Sequence, residues 1–200
     1  MLLHVYLEHV LGNKVAIALL RTMIRYRGKV FTVRGLANTA HVSINETALT
    51  VHDLEKLGII NIQPIGRAYH LELNEKSYIF NKIIEPIVNA EKNTISELIQ
   101  TLRKHLDTKK IITAAIFGSV ASAEEKIDSD IDLLIISNDH DHAIALVAEA
   151  GMPISTRFNG NLSPIIFTEK EFKAKQKGSL VQSIIGNHIM ISGKRIVPGK

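Results

Sequence analysis

Two apolar runs, Ile111–Phe117 and Ile131–Ile136, constrain this chain most. Each has the length of one strand, and apart from Asp132 neither carries a charge, so both fit strands covered on two faces. Covered strands need helices, and the flanking sequence supplies them. Asp139 to Ala150 reads as a helix, and Glu169 to Gly186 as helical with a break at Gly178. Ile154 to Phe158 and Leu162 to Phe167 read as a strand pair around Asn159-Gly160-Asn161, and His188 to Ser192 as a last strand. A small mixed sheet with helices is therefore expected from residue 108 to residue 200.

The first 75 residues follow a different pattern. Val15, Ala18, Leu19, Thr22, Met23 and Tyr26 fall at three- and four-residue spacing behind a capping Asn13, which predicts a core-facing helix. Arg27-Gly28-Lys29 stops it. Thr32 is a cap for a second, short helix through Ala40, and a turn at His41-Val42 follows. Ser43 with Glu46 three residues on is a capping-box pattern, opening a third helix with Ala48, Val51, Leu54 and Leu57 on its inner face. Gly58 ends it. Ile59–Gln63 and Ala68–Leu73 then alternate around Pro64-Ile65-Gly66-Arg67, the signature of a β-hairpin.

Helix, short helix, tight turn, longer helix and hairpin together resemble a winged helix-turn-helix domain. The resemblance implies that the third helix enters a DNA major groove with Ser43, Asn45, Thr47 and Thr50 exposed, and that Arg34 and Arg67 lie near phosphates. Winged helices also serve as dimer or protein-docking modules. The third helix carries Glu46, Asp53 and Glu55 against a single Lys56, which keeps that second use open as a rival to the DNA-binding expectation.

Composition narrows the classes. A chain of 200 residues fits two small domains. With 46% hydrophobic and 22% charged residues it can bury a core, and the absence of cysteine excludes disulfides, thiolate zinc sites and cysteine nucleophiles. No apolar run reaches the roughly 18–20 residues that span a bilayer, and the start of the chain lacks the form of a signal peptide, so a cytoplasmic protein is expected. Net charge is +4. Residues 1–75 hold 8 basic and 6 acidic side chains and the remainder 16 and 14, so bulk charge does not locate a nucleic-acid domain. Residues 76–107 are expected to form a helical connector, kinked at Pro86 and restarting at Asn93-Thr94.

The chemistry lies between the two apolar runs. Gly118-Ser119 directly after a strand leaves backbone N–H groups and a hydroxyl free to hold a phosphate. Asp130 and Asp132 stand two apart at the mouth of the next strand, where the period of two puts both side chains on one face. Paired carboxylates repel unless a cation neutralises them, which makes them natural ligands for Mg²⁺.

Gly118-Ser119 followed by Ser129-Asp130-Ile131-Asp132-Leu133 closely resembles the signature of the DNA polymerase beta-like nucleotidyltransferase superfamily. The segment from about residue 108 to 192 is similar to the minimal nucleotidyltransferases of bacteria and archaea. The resemblance implies that Gly118 and Ser119 grip the β- and γ-phosphates of an NTP, with ATP the expected donor. Ser129, grouped with them, supports the turn that presents the aspartates. Asp130 and Asp132 are the implied catalytic and metal-binding pair, holding Mg²⁺ for transfer of a nucleotidyl group to an acceptor hydroxyl.

The chain also departs from the family's pattern. Family members carry Arg-Gly where this chain has Ser122-Ala123, and they often add a third carboxylate on a later strand, where Asn161 to Ser163 offer no acid. The fold class expected is thus α+β, a winged helix-turn-helix at 1–75 and a small mixed-sheet nucleotidyltransferase fold at 108–200. The leading function is Mg²⁺-dependent nucleotidyl transfer coupled to a DNA- or partner-binding domain. The alternative is a DNA-binding transcriptional regulator whose second domain senses nucleotide without catalysis. By the same resemblance the acceptor can be a protein, such as a toxin partner, and the apolar stretch from Met1 to Leu7 is a candidate dimer contact. Asn138-Asp139-His140-Asp141-His142 is expected to cap a helix rather than bind metal, and Lys170, Lys173, Lys175 and Lys177 to form a solvated helix face.

Overall fold

The structure, a computed structural model, describes residues 6–66 and 68–197, in two units that divide between Lys92 and Asn93. In the first unit α1 (Tyr6–Leu11) precedes α2 (Lys14–Arg25), which starts where Asn13 Oδ1 accepts from Val15 N at 2.9 Å and Ala16 N at 3.2 Å. A short strand β1 (Phe31–Thr32) leads into α3 (Val33–Ala40), capped by Thr32 Oγ1 accepting from Gly35 N at 3.1 Å. His41 in the left-handed region ends α3, and Ser43 caps α4 (Ile44–Lys56) by accepting from Glu46 N at 3.5 Å. β2 (Ile60–Ile65) and β3 (Ala68–Leu73) form the hairpin, and β1 adds to β3, giving the order β1-β3-β2.

This is a winged helix-turn-helix. Leu19, Leu20, Leu36, Leu54, Ile60, Leu71 and Phe80 are fully buried in its core, each stabilising by roughly 1.5–3 kcal/mol relative to exposure.

Beyond the hairpin the helix does not restart at Asn93. A π-helical turn, Phe80–Ile84, runs straight into α5 (Glu85–Leu106). Pro86 accounts for the turn, because its ring cannot donate to, and crowds, the carbonyl four residues back; the wider π spacing, with Glu85 N–H bonded to Phe80 O, relieves it.

The second unit is a four-stranded sheet in the order β6-β5-β4-β7. β4 (Thr113–Phe117) is antiparallel to both β5 (Ile131–Ile136) and β7 (Ile189–Gly193). β6 (Leu162–Phe167) is parallel to β5, with Asp132 opposite Ser163. A parallel neighbour needs a crossover, which corrects one expectation: Ile154 to Phe158 are not a strand but the last turns of α7 (His140–Phe158). Ala143, Val147, Ala150 and Ile154 are buried at helical spacing, and that apolar stripe outweighs the break signalled by Pro153. Asn159, in the left-handed region, closes the helix.

Both faces of the sheet are covered, as its apolar strands demanded. Ile131, Leu133 and Ile135 pack with α7 and with Leu98, Leu102 and Leu106 of α5. Leu134 and Ile136 pack on the other face with Phe172 of α8 (Glu169–Ala174) and with Val181 and Ile184 of α9 (Ser179–Gly186). Among the described residues no helix is long and apolar enough to cross a membrane.

Candidate active site

β4 passes directly into α6 (Gly118–Ser122), and the turn between them is where the two motifs meet. Gly118 has φ +69°, in the left-handed region that costs other residues roughly 1–2 kcal/mol. A Cβ there would also collide with Asp132 Oδ2. The strand register explains the proximity: Phe117 lies opposite Asp132 across the β4–β5 pair, so Gly118, one step further on, abuts its carboxylate.

Asp132 is half-buried on the α8–α9 face of β5, and Asp130 is exposed just before the strand begins. The entry into β5 is held by Ile131 N donating to Asn161 O at 2.8 Å, and by a turn in which Ser129 Oγ accepts from Lys126 N at 2.9 Å. Ser129 thus shapes the approach to the aspartates. Ser119 Oγ has no hydrogen-bond partner among the described residues and is open to a ligand.

The donor set fits Mg²⁺. Among the described residues no Lys or Arg pairs with Asp130 or Asp132, so the two carboxylates carry uncompensated charge beside a turn rich in N–H groups. Nor do the described residues hold a cluster of three or more His, Asp or Glu ligands. One or two carboxylates completed by substrate phosphates is the usual way this ion is bound. Ser163 occupies the place beside Asp132 on the next strand, so no third acid stands there. Glu169 lies past the far end of β6 and instead meets Lys173 at 3.5 Å and Lys194 at 3.7 Å.

Ser122 and Ala123 end the motif helix. Ser122 Oγ donates to Gly118 O at 3.2 Å and accepts from Asn187 Nδ2 at 2.8 Å. Asn187 was invisible as a site residue in the sequence; the β4–β7 pairing alone brings it here. Ala123 sits at φ +56°, an uncommon conformation for a residue with a Cβ. Ala123→Gly is therefore expected to stabilise the fold by up to about 1 kcal/mol. Calorimetric melting of the two proteins checks this, with an upward shift of a few degrees expected.

Other expected residues are distributed less favourably. Ser43 and Asn45 are exposed at the start of α4, and Arg34 is exposed on α3. Thr47 and Thr50 are buried, at 0% and 5% exposure, and cannot reach a base edge. Their positions join Val51 and Leu54 at helical spacing on the inner face, and Thr47 Oγ1 is spent on Ser43 O at 2.8 Å. The outer face shows Glu46, Asp53 and Leu49, the last 72% exposed, with His52 edge-on to Tyr69. Arg67 and the stretch from Met1 to Val5 lie outside the described residues. Asp139 caps α7 as expected. It accepts from Lys110 Nζ at 2.8 Å and from His142 N at 3.2 Å, and these two contacts, the lysine first, hold its carboxyl below the usual range.

Comparison with known proteins bears on the second unit. No curated protein matches the chain. Among solved structures, a toxin–antitoxin bound to AMP-PNP aligns at 15% identity over 51% of this chain and 75% of its own, with a TM-score of 0.34. A mutant of the toxin–antitoxin MntA–HpeT aligns at 13% over 50% and 73%, also at 0.34. TrmBL2, an archaeal chromatin protein, aligns at 16% over 90% and 75%, at 0.31. None of these three alignments reaches a score at which a shared fold follows. The model of the polymerase beta nucleotidyltransferase family matches residues 96–195, half of the chain and nearly all of the second unit. With the Gly-Ser turn, the aspartate pair and that match on the same strands, the chain belongs to the polymerase beta nucleotidyltransferase family.

Proposed function

We propose that this protein transfers a nucleotidyl group from an NTP, with ATP as the expected donor, to a hydroxyl of a macromolecular acceptor. One observation carries the reading: Gly118 abuts Asp132, and Asp130 stands exposed two residues before it at the entry to β5, so a triphosphate gripped by the turn meets the Asp132 carboxylate. The N–H groups of the turn and Ser119 Oγ bind phosphate oxygens, and Asp130 and Asp132 would hold Mg²⁺, which when bound would supply charge to offset that of the triphosphate and of the departing pyrophosphate. The acceptor oxygen bonds to the α-phosphorus, the bond from that phosphorus to the bridging oxygen breaks, and pyrophosphate leaves with the electron pair. The acceptor proton passes to solvent, since Ser163 stands where a third carboxylate would take it.

The division of labour we infer puts recruitment in residues 1–75 and chemistry in 108–200, with 76–107 joining them. A protein acceptor is favoured over a polynucleotide. Between the two motifs Ile127 is 98% exposed in a stretch where Glu124, Glu125 and Asp128 outnumber Lys126, a net negative rim that disfavours a phosphate backbone and suits a basic, partly apolar protein surface. The acid-rich outer face of α4, with exposed Leu49, suits a protein partner in the same way. A toxin-like partner of basic surface fits both faces, whereas the homodimer contact expected at Met1 to Leu7 falls mostly outside the described residues. Incubation with α-labelled NTP, Mg²⁺ and a lysate of the host tests the reading. Transfer of label to a protein, lost with EDTA and with Asp130→Asn, is expected; equal labelling by Asp130→Asn overturns it.

A second reading is favoured by Ser122 and Ser163, which replace the cation and the acid the family pattern supplies. In it the second unit senses nucleotide, and Arg34, Ser43 and Asn45 contact DNA. Salt-sensitive gel retardation of host DNA without any label transfer supports this reading. The two are also separated by Ser163→Asp, which places a third carboxylate beside Asp132. In an active enzyme it is expected to raise Mg²⁺ affinity and label transfer by about tenfold. A sensor shows tighter Mg²⁺-NTP binding with no turnover.

A further inference from the structure

We infer that Asn187 is a positioning residue for the nucleotide site, acting through Ser122 on the Gly118-Ser119 turn. The inference rests on the nucleotidyl-transfer reading of that site. Helix α6, which carries the turn, has little of its own to hold it: five residues, no buried side chain and no side-chain cap at its start. Its end lies at Ala123 in the left-handed region. Val120 is its contact with the core, and that packing is partial. A segment so short and so weakly buried is not fixed by propensity.

The tether comes from the other side of the sheet. In the β4–β7 register Ile116 faces Ile189, which places Asn187 level with Gly118. Asn187 Nδ2 donates to Ser122 Oγ at 2.8 Å, and Ser122 Oγ donates onward to Gly118 O at 3.2 Å. The donating end is itself anchored. Asn187 N bonds to Ser183 O at 3.0 Å, and the next residue, His188, places Nδ1 at 2.8 Å from Ile184 O. The relay therefore joins the firm end of α9 to the carbonyl of the residue whose backbone turn faces Asp132. Loosening it leaves the two aspartates in place but lets the phosphate-binding turn wander, and displacements of about an ångström suffice to cost binding and rate.

Nucleotide dissociation constants for Mg²⁺-ATP, measured by calorimetry on wild type, Asn187→Ala, Ser122→Ala and the double variant, test this. Each single change is expected to weaken binding about three- to tenfold, and the double no more than the worse single, because both break one relay. Ser122→Thr keeps the hydroxyl and is expected to bind like wild type. Both positions are exposed, so melting without nucleotide is expected to stay unchanged, which separates positioning from a general loss of structure. Where label transfer is measured, Asn187→Ala raises the KM for ATP more than it lowers kcat. Wild-type binding with unchanged affinity in both single variants overturns the inference and leaves the site reading intact. Additive losses in the double variant also overturn it, since the two side chains then act separately. Absence of Mg²⁺-ATP binding to wild type overturns the site reading and this inference together.

Discussion

Asp132→Asn is expected to cut label transfer by about 10²–10³-fold, since it removes one of two charged groups acting on a highly charged reaction. The same change is expected to abolish the Mg²⁺-dependent rise in melting temperature that NTP produces in wild type. Saturation at a hundredfold excess over Kd adds about 2.7 kcal/mol to the folded state, on the order of 10 °C for a unit of this size. Stability without ligand is expected to hold or rise. Asp130 and Asp132 have no cationic partner among the described residues, so removing one charge relieves repulsion without orphaning a salt bridge. Loss of function with no loss of stability marks a residue retained for a ligand. An unchanged thermal shift in the variant would remove Asp132 from the site.

Gly118→Ala is expected to damage both stability and function, for two separable reasons. The backbone at φ +69° charges a Cβ about 1–2 kcal/mol wherever it occurs. Gly58 at φ +70° supplies the control, because a Cβ there meets nothing within 4 Å. Gly58→Ala is therefore expected to lower stability and leave nucleotide binding alone. At Gly118 the added methyl also drives against Asp132 Oδ2, so the carboxylate or the turn must move, and about a hundredfold loss of label transfer is expected. Parallel melting curves and transfer assays on the two variants check this. Equal activity in both would show that the contact between Gly118 and Asp132 has no part in the chemistry.

Much of the local structure was legible beforehand. Asn13, Thr32, Ser43 and Asp139 start the helices their side chains cap, and the limits of β5 match its apolar run. Caps and periodicity are written in neighbouring residues, so they survive without knowledge of the fold. The errors fall where distant residues compete. Ile154 to Phe158 look like a strand in isolation, yet Ile154 continues a stripe begun at Ala143, and a parallel β6 requires the crossover helix. Thr47 and Thr50 look like polar contacts on a recognition helix, yet both fall on the buried inner face of α4 with Val51 and Leu54, and the Thr47 hydroxyl, bonded back to Ser43 O, is cheap to bury.

The candidate site divides in the same way. Its chemical types, a Gly-Ser turn and two alternating aspartates, were fixed by the sequence because their spacing is local on each side. That Gly118 abuts Asp132, that Ser163 stands where a third acid would stand, and that Asn187 reaches Ser122 are products of strand register. Register is decided only when every apolar face of the sheet is buried at once, a condition that couples residues as far apart as Ser122 and Asn187 and that no local stretch of sequence contains.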